Sequence, residues 1–213
     1  MREKAEKTSL KGVVLKTALI FILSYLVFLF FWLGVKGSYG KAVTGIASSL
    51  VARVQGVTYD SLKPDGDRYL ITFAPRRYNA RMFIDIYINT SSYTFNAPLT
   101  FAIMAAFCPF LLDRTGSRGT KSAIPAVARI YGEVLLMLFL VHILYVFSAE
   151  GEKLTGILMG RGYEDVSKVE LVFWQFLWEF VDNMVIRFEP FLIGAFLYFR
   201  IPARGSGYYR ERA

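Results

Sequence analysis

Residues Thr17 to Val35 read TALIFILSYLVFLFFWLGV, 19 consecutive residues without a charged side chain. At about 1.5 Å rise per residue such a helix covers ~28 Å, close to the ~30 Å hydrocarbon layer of a bilayer. Trp32 stands near its far end, where an amphipathic ring suits the membrane–water interface. Two further stretches, Phe95 to Leu112 and Ile124 to Phe147, approach the same length. The chain is 54% hydrophobic with a mean hydropathy of +0.39, but the apolar residues are clustered, and the remainder is an ordinary polar chain. Clustering, not the average, assigns the class: a membrane α-helical protein.

The net charge is +8. A nucleic-acid partner is set aside, because the basic residues sit at the ends of the apolar segments rather than along one stripe. One cysteine, Cys108, and one histidine, His142, leave no intrachain disulfide and no Cys/His metal cluster, so no metal site and no cofactor is expected. The first apolar segment exceeds the usual 7–15 residue core of a cleavable signal, and no small-x-small cleavage site follows at once, so it reads as a retained anchor.

Lys36 to Tyr93 is the sizeable polar segment. Its opening, GSYGKAVTGIASSLVARVQGV, spaces Val43, Ile46, Leu50, Val51 and Val54 as an amphipathic helix lying along or above the membrane. Tyr59 to Lys63 and Tyr69 to Phe73 read as strands around the turn Pro64-Asp65-Gly66-Asp67. From Arg81 to Asn89 the period is two, with Met82, Ile84, Ile86 and Ile88 on one face and Phe83, Asp85 and Tyr87 on the other. Asn89-Thr90-Ser91 matches the acceptor pattern for N-glycosylation, a short and unspecific match.

The second span is entered through Asn96-Ala97-Pro98, with Asn96 as the expected N-cap and Pro98 in the first turn. Pro109 is expected to kink or end that helix. The third span has Pro125 at its start. The loop after it, Ser148 to Lys168, contains Gly151, Gly156, Gly160 and Gly162, which are expected to break any long helix. Val169 to Asp182 reads as an aromatic interfacial helix, and a kink near Pro190 leads into a short fourth span ending at Phe199.

Lys and Arg are denser on one side: five in the N-terminal tail, four around the loop with Arg129, and four in the C-terminal tail. The positive-inside rule puts these in the cytoplasm. The expected architecture is therefore membrane α-helical with four spans and a small α+β extracytoplasmic domain between spans 1 and 2, in the plasma (inner) membrane. Its parts are a basic cytoplasmic tail (1–16), span 1 (17–35), the outside helix and strands (36–94), span 2 (95–112), a basic cytoplasmic loop (113–123), span 3 (124–147), an outer loop with the aromatic helix (148–182), span 4 (183–199) and a basic cytoplasmic tail (200–213).

Ionisable residues at membrane depth are costly and often functional. Arg129 and Glu133, four apart, form a local pair at the helix end or a polar contact between helices. A Cys108/His142 nucleophile–base dyad is disfavoured, because antiparallel spans would leave the two ~10 Å apart in depth. Glu179, Asp182, Arg187 and Glu189 form the densest polar group. With Trp174 and Trp178 they are either solvated charges on an interfacial helix or a docking site for another membrane protein. No nucleophile, metal cluster or phosphate-binding glycine loop accompanies them, so no catalytic residue is assigned. The alternative function is a small membrane enzyme or transporter using Glu133, His142 and the Glu179/Asp182 pair around a cavity.

The basic N-terminus and anchor, the strand-rich outside segment, the Asn96-x-Pro98-Leu99 step, the basic hairpin and a final span led in by Pro190 occur together here. This layout resembles the small polytopic membrane proteins encoded beside bacterial exosortases, over most of the chain but without a diagnostic motif. The resemblance implies an accessory to a system that sorts and trims cell-surface proteins, with no assigned catalysis of its own. Its partners would be membrane lipids and another membrane protein. Animal four-span junction proteins share a strand-rich first loop but carry paired cysteines there, which this chain lacks.

Overall fold

The computed structural model describes residues 10–75, 83–116, 120–162 and 166–200. The chain is mostly helical. A long helix α1 (Leu10–Val54) leads into three strands, β1 (Val57–Asp65), β2 (Arg68–Pro75) and β3 (Ile84–Asn89). A short α2 (Thr90–Thr94) precedes α3 (Ala97–Gly116) and the long α4 (Thr120–Gly160). The chain ends with α5 (Lys168–Phe180), a π-helical turn (Val181–Ile186) and α6 (Arg187–Arg200). Three stretches, Lys11–Val54, Thr90–Leu112 and Ile124–Gly160, are long and apolar enough to cross a membrane.

The chain divides into two compact units. One comprises Phe30–Ala97 and Leu135–Glu189. Its antiparallel sheet has the order β1-β2-β3. Alternation puts Ile84, Ile86 and Ile88 of β3 and Tyr69, Ile71 and Phe73 of β2 on the buried face. That face joins one apolar core with Val43, Ala47 and Val51 of α1 and Val146 and Leu154 of α4. Each fully buried Ile or Val contributes roughly 1.5–3 kcal/mol of transfer free energy. Between β1 and β2, Asp65 pairs with Arg68, and Gly66 takes φ +60°, a left-handed conformation that a Cβ disfavours. Asp67 in this turn meets the Lys36 ammonium at 2.6 Å and accepts from the Ser91 hydroxyl. These two contacts hold its carboxyl below the usual carboxylate range.

The other unit comprises Met1–Leu29, Pro98–Val134 and Pro190–Ala213. Phe28 of α1 packs on Phe101 of α3 with ring centres 5.5 Å apart, and Ile103 of α3 lies near Gly194 of α6 at ordinary packing distance. Leu111, Val127, Val134 and Leu197 are buried. The Tyr131 hydroxyl donates to the Met104 carbonyl.

The structure departs from the sequence expectations at several places. The anchor and the amphipathic helix are not separate: α1 is unbroken for 45 residues, ~68 Å of helix and more than twice a hydrocarbon layer. The expected polar loop at 148–168 is helical as far as Gly160, because Gly151 and Gly156 lower helix propensity without breaking a helix whose neighbours pack well. Pro109 lies inside α3, which runs on to Gly116, and α4 begins before Pro125 at Thr120. The three expected strands are present, although Arg81 and Met82 at the start of the third lie outside the described residues.

Candidate functional site

One group of polar side chains inside the sheet-bearing unit comes from three distant parts of the chain. The Tyr39 hydroxyl lies 2.7 Å from His142 Nδ1, and His142 Nε2 lies 3.3 Å from Glu189 Oε2. His142 has no solvent exposure and Glu189 has 3%. The order is hydroxyl, imidazole, carboxyl. The imidazole–carboxyl contact is an electrostatic approach rather than a well-aligned hydrogen bond. Tyr39 and Tyr93 enclose the imidazole edge-on, each with ring centres 5.6 Å from it, and Trp32 stands edge-on to Tyr39 at 5.1 Å. Burial costs these groups their water, so the contacts among them are what keep them tolerable in the core.

A second polar contact joins the far halves of α1 and α4. Ser48 donates to Glu150 Oε1 at 2.9 Å, with the Glu150 side chain wholly buried. Gln55 Nε2 donates to the Gly151 carbonyl at 2.9 Å and to Thr155 Oγ1 at 2.7 Å. Glu150 Oε2 and Gln55 Oε1 have no hydrogen-bond partner among the described residues.

Asn96, at the entry to α3, sends its Nδ2 to the Ile186 carbonyl at 2.5 Å. That carbonyl is four residues before Pro190, which has no N–H to offer it, so the proline creates the vacancy that Asn96 fills. The short α2 has its own side-chain cap, Asn89 Oδ1, which accepts from the Ser91 N–H at 3.0 Å.

The expected group at 179–189 divides. In the π-helical turn hydrogen bonds run five residues apart, which puts Asp182 and Arg187 on one face at 3.8 Å. Glu179 is exposed, whereas Glu189 leaves the group for His142. Trp174 is buried against Phe147 and Gly151, and Trp178 stands edge-on to Tyr145 at 4.9 Å, so both tryptophans turn inward. What α5 exposes instead is Val169, Val172, Phe173, Phe176 and Phe180, one helix face at intervals of three and four. In the other unit Glu133 lies between Arg129, at 3.3 Å, and Arg200.

Of the alternative set, His142 meets Tyr39 and Glu189, and Asp182 meets Arg187, all within the sheet-bearing unit, while Glu133 belongs to the other unit, where it meets Arg129 and Arg200. Tyr39, Glu150, Ser48 and Gln55 were not singled out from the sequence. Glu150 lies in a segment that reads as a glycine-bearing loop, and Tyr39 and Ser48 look like ordinary residues of an amphipathic helix. The class that these observations define is a helical protein with three membrane-competent helices, a small sheet and buried polar contacts between helices. No family model, curated protein or solved structure matches the chain.

Proposed function

We propose that the chain is an integral membrane assembly subunit without catalysis of its own, an accessory of the cell-surface protein sorting system that the resemblance implies. On this reading it crosses the plasma (inner) membrane four times, with both termini in the cytoplasm and the sheet outside. The length of α1 and α4 supports it: each exceeds a hydrocarbon layer about twofold, leaving polar helix beyond the membrane for the sheet to pack on. The fourth crossing is α6, whose 14 residues need the preceding π-helical turn to approach a full span. The observation that carries the reading is the apolar outer face of α5. With Trp174 and Trp178 committed inward, Phe173, Phe176 and Phe180 remain for lipid or for a helix of a membrane partner.

Mild-detergent affinity purification from the native membrane, with mass spectrometry of co-eluting proteins, tests this. A stoichiometric second membrane protein, lost on Phe173→Ser/Phe176→Ser, supports the subunit reading. A lone species in both cases moves the weight to a self-contained enzyme or transporter. That second reading is favoured by the hydroxyl–imidazole–carboxyl order of Tyr39, His142 and Glu189, an arrangement that can hold and pass a proton.

A further inference from the structure

A cleft in the sheet-bearing unit opens beside the Tyr145–Trp178 contact. It holds about 380 Å³ and opens among β2, β3, α2, α4 and α5. Its lining includes two cations, Arg68 and Lys153, with Asn89, Ser92, Tyr145 and Trp178, and no carboxylate. Lys153 Nζ donates to the Tyr87 carbonyl at 2.8 Å, which fixes the ammonium on the wall. An ammonium has three donors, so two remain. The Arg68 guanidinium, a planar fork of five donors, makes no hydrogen bond or ion pair with another described residue. The nearby carboxylates stand outside the lining: Glu150 accepts from Ser48 and Asp182 lies beside Arg187, although Glu152 and Glu150 still act on Lys153 and Asp182 on Tyr145.

The cleft thus offers more hydrogen-bond donors than acceptors and a net positive wall. A carboxylate would use only part of that supply, whereas the three terminal oxygens of a phosphate take a bidentate guanidinium, an ammonium and a hydroxyl together. Aromatic rings beside basic side chains are also the composition that protein surfaces present to lipid headgroups. We propose that this cleft binds a phosphate group, carried on an anionic lipid headgroup or on a small phosphorylated solute. Arg68 and Lys153 hold the charge, and Tyr145, Ser92 and Asn89 orient the oxygens.

Equilibrium dialysis of the full chain in a neutral detergent tests the site, with short-chain phosphatidic acid, inorganic phosphate and the matching phosphate-free diacylglycerol as probes. Saturable binding of at least one phosphate probe is expected, weakened tenfold or more by R68Q/K153Q and retained by R68K/K153R. Binding of phosphatidic acid alone identifies the lipid source, and equal binding of inorganic phosphate identifies the solute source. Lys41→Gln/Arg53→Gln, which alters two cations of α1 outside the cleft, should leave binding unchanged. If R68Q/K153Q does not elute as a monodisperse helical species, R68Q alone carries the test with a several-fold loss, since it gives up no hydrogen bond to a described residue. No saturable binding of either phosphate probe, equal binding of the diacylglycerol, or wild-type affinity in the Gln variants overturns the proposal.

Discussion

His142 Nε2 stands 3.3 Å from Glu189 Oε2, joining the apolar part of α4 to the first turn of α6 in a site that solvent does not reach. Removing the carboxyl leaves the buried imidazole Nε2 without the group beside it, at a cost of roughly 1–3 kcal/mol. Glu189→Ala should therefore lower the thermal midpoint in detergent strongly. Glu189→Gln, which keeps an acceptor of similar shape, should lower it less. In a double-mutant cycle, His142→Ala with Glu189→Ala should cost less than the sum of the single changes. Strict additivity would show that the contact carries no coupling.

Asn96 and Pro190 make a second pair that can be separated experimentally. Asn96→Ala leaves the Ile186 carbonyl without its donor, a loss of about 1–3 kcal/mol for a buried acceptor. Pro190→Ala restores a backbone N–H at the position where a helical donor belongs. The cost of Asn96→Ala should consequently shrink in the Pro190→Ala background, read from thermal or denaturant unfolding in the same detergent. An unchanged cost would mean that Asn96 acts on something other than the carbonyl the proline strands.

Glycines of α4 should divide by surroundings. A Cβ on Gly151 would lie 2.2 Å from ring atoms of the buried Trp174, so Gly151→Ala forces the indole or the helix to move, at about 1–3 kcal/mol. Around Gly156 nothing lies within 4 Å of the added carbon, and Gly156→Ala should stabilise by about 0.5–1 kcal/mol through helix propensity. Opposite shifts of the melting temperature are the expected signature.

Asp67 predicts an acid-side effect. Lys36 and Ser91 depress its carboxyl in the folded chain, so the stabilisation is complete above the unfolded-state value near 3.8 and is lost as pH falls through the lower folded-state value. Between neutral pH and about pH 3 the wild type should lose more stability than Asp67→Asn, measured as melting temperature against pH. The Asp67 side chain is 44% exposed, which keeps the difference small and sensitive to salt. Parallel curves would assign the acid response to other groups.

Periodicity made much of this architecture legible. The two-residue alternation at Ile84, Ile86 and Ile88 faces the core as the sequence implies, and the Asp65–Gly66 turn joins the strands it appeared to join. Uncharged length identified three membrane-competent helices. Continuity was not legible. Glycines at 151 and 156 look like breaks when read locally, but packing carries α4 through them, and at Gly151 the missing side chain is what admits Trp174. Likewise the anchor and the amphipathic helix, read as separate segments, form one unbroken α1. The polar contacts were half legible. Arg129 and Glu133 pair as their spacing of four suggests, because that contact is local to one helix. Glu189 was grouped with Asp182 and Arg187 by proximity in sequence, while its partner His142 comes from another helix, and no local pattern encodes that meeting. The inward turn of Trp174 and Trp178 was hidden for the same reason.

The π-helical turn at Val181–Ile186 accommodates one residue more than an α-helical turn. A one-residue deletion there would shorten the chain by less than half a per cent of its 213 residues and leave its hydropathy almost untouched. It would tighten the wide turn to an ordinary α-helical one, in which Asp182 and Arg187 stand four residues apart and still share a face. The wide turn thus works as an expansion joint, taking up a surplus residue without turning the charges that follow it.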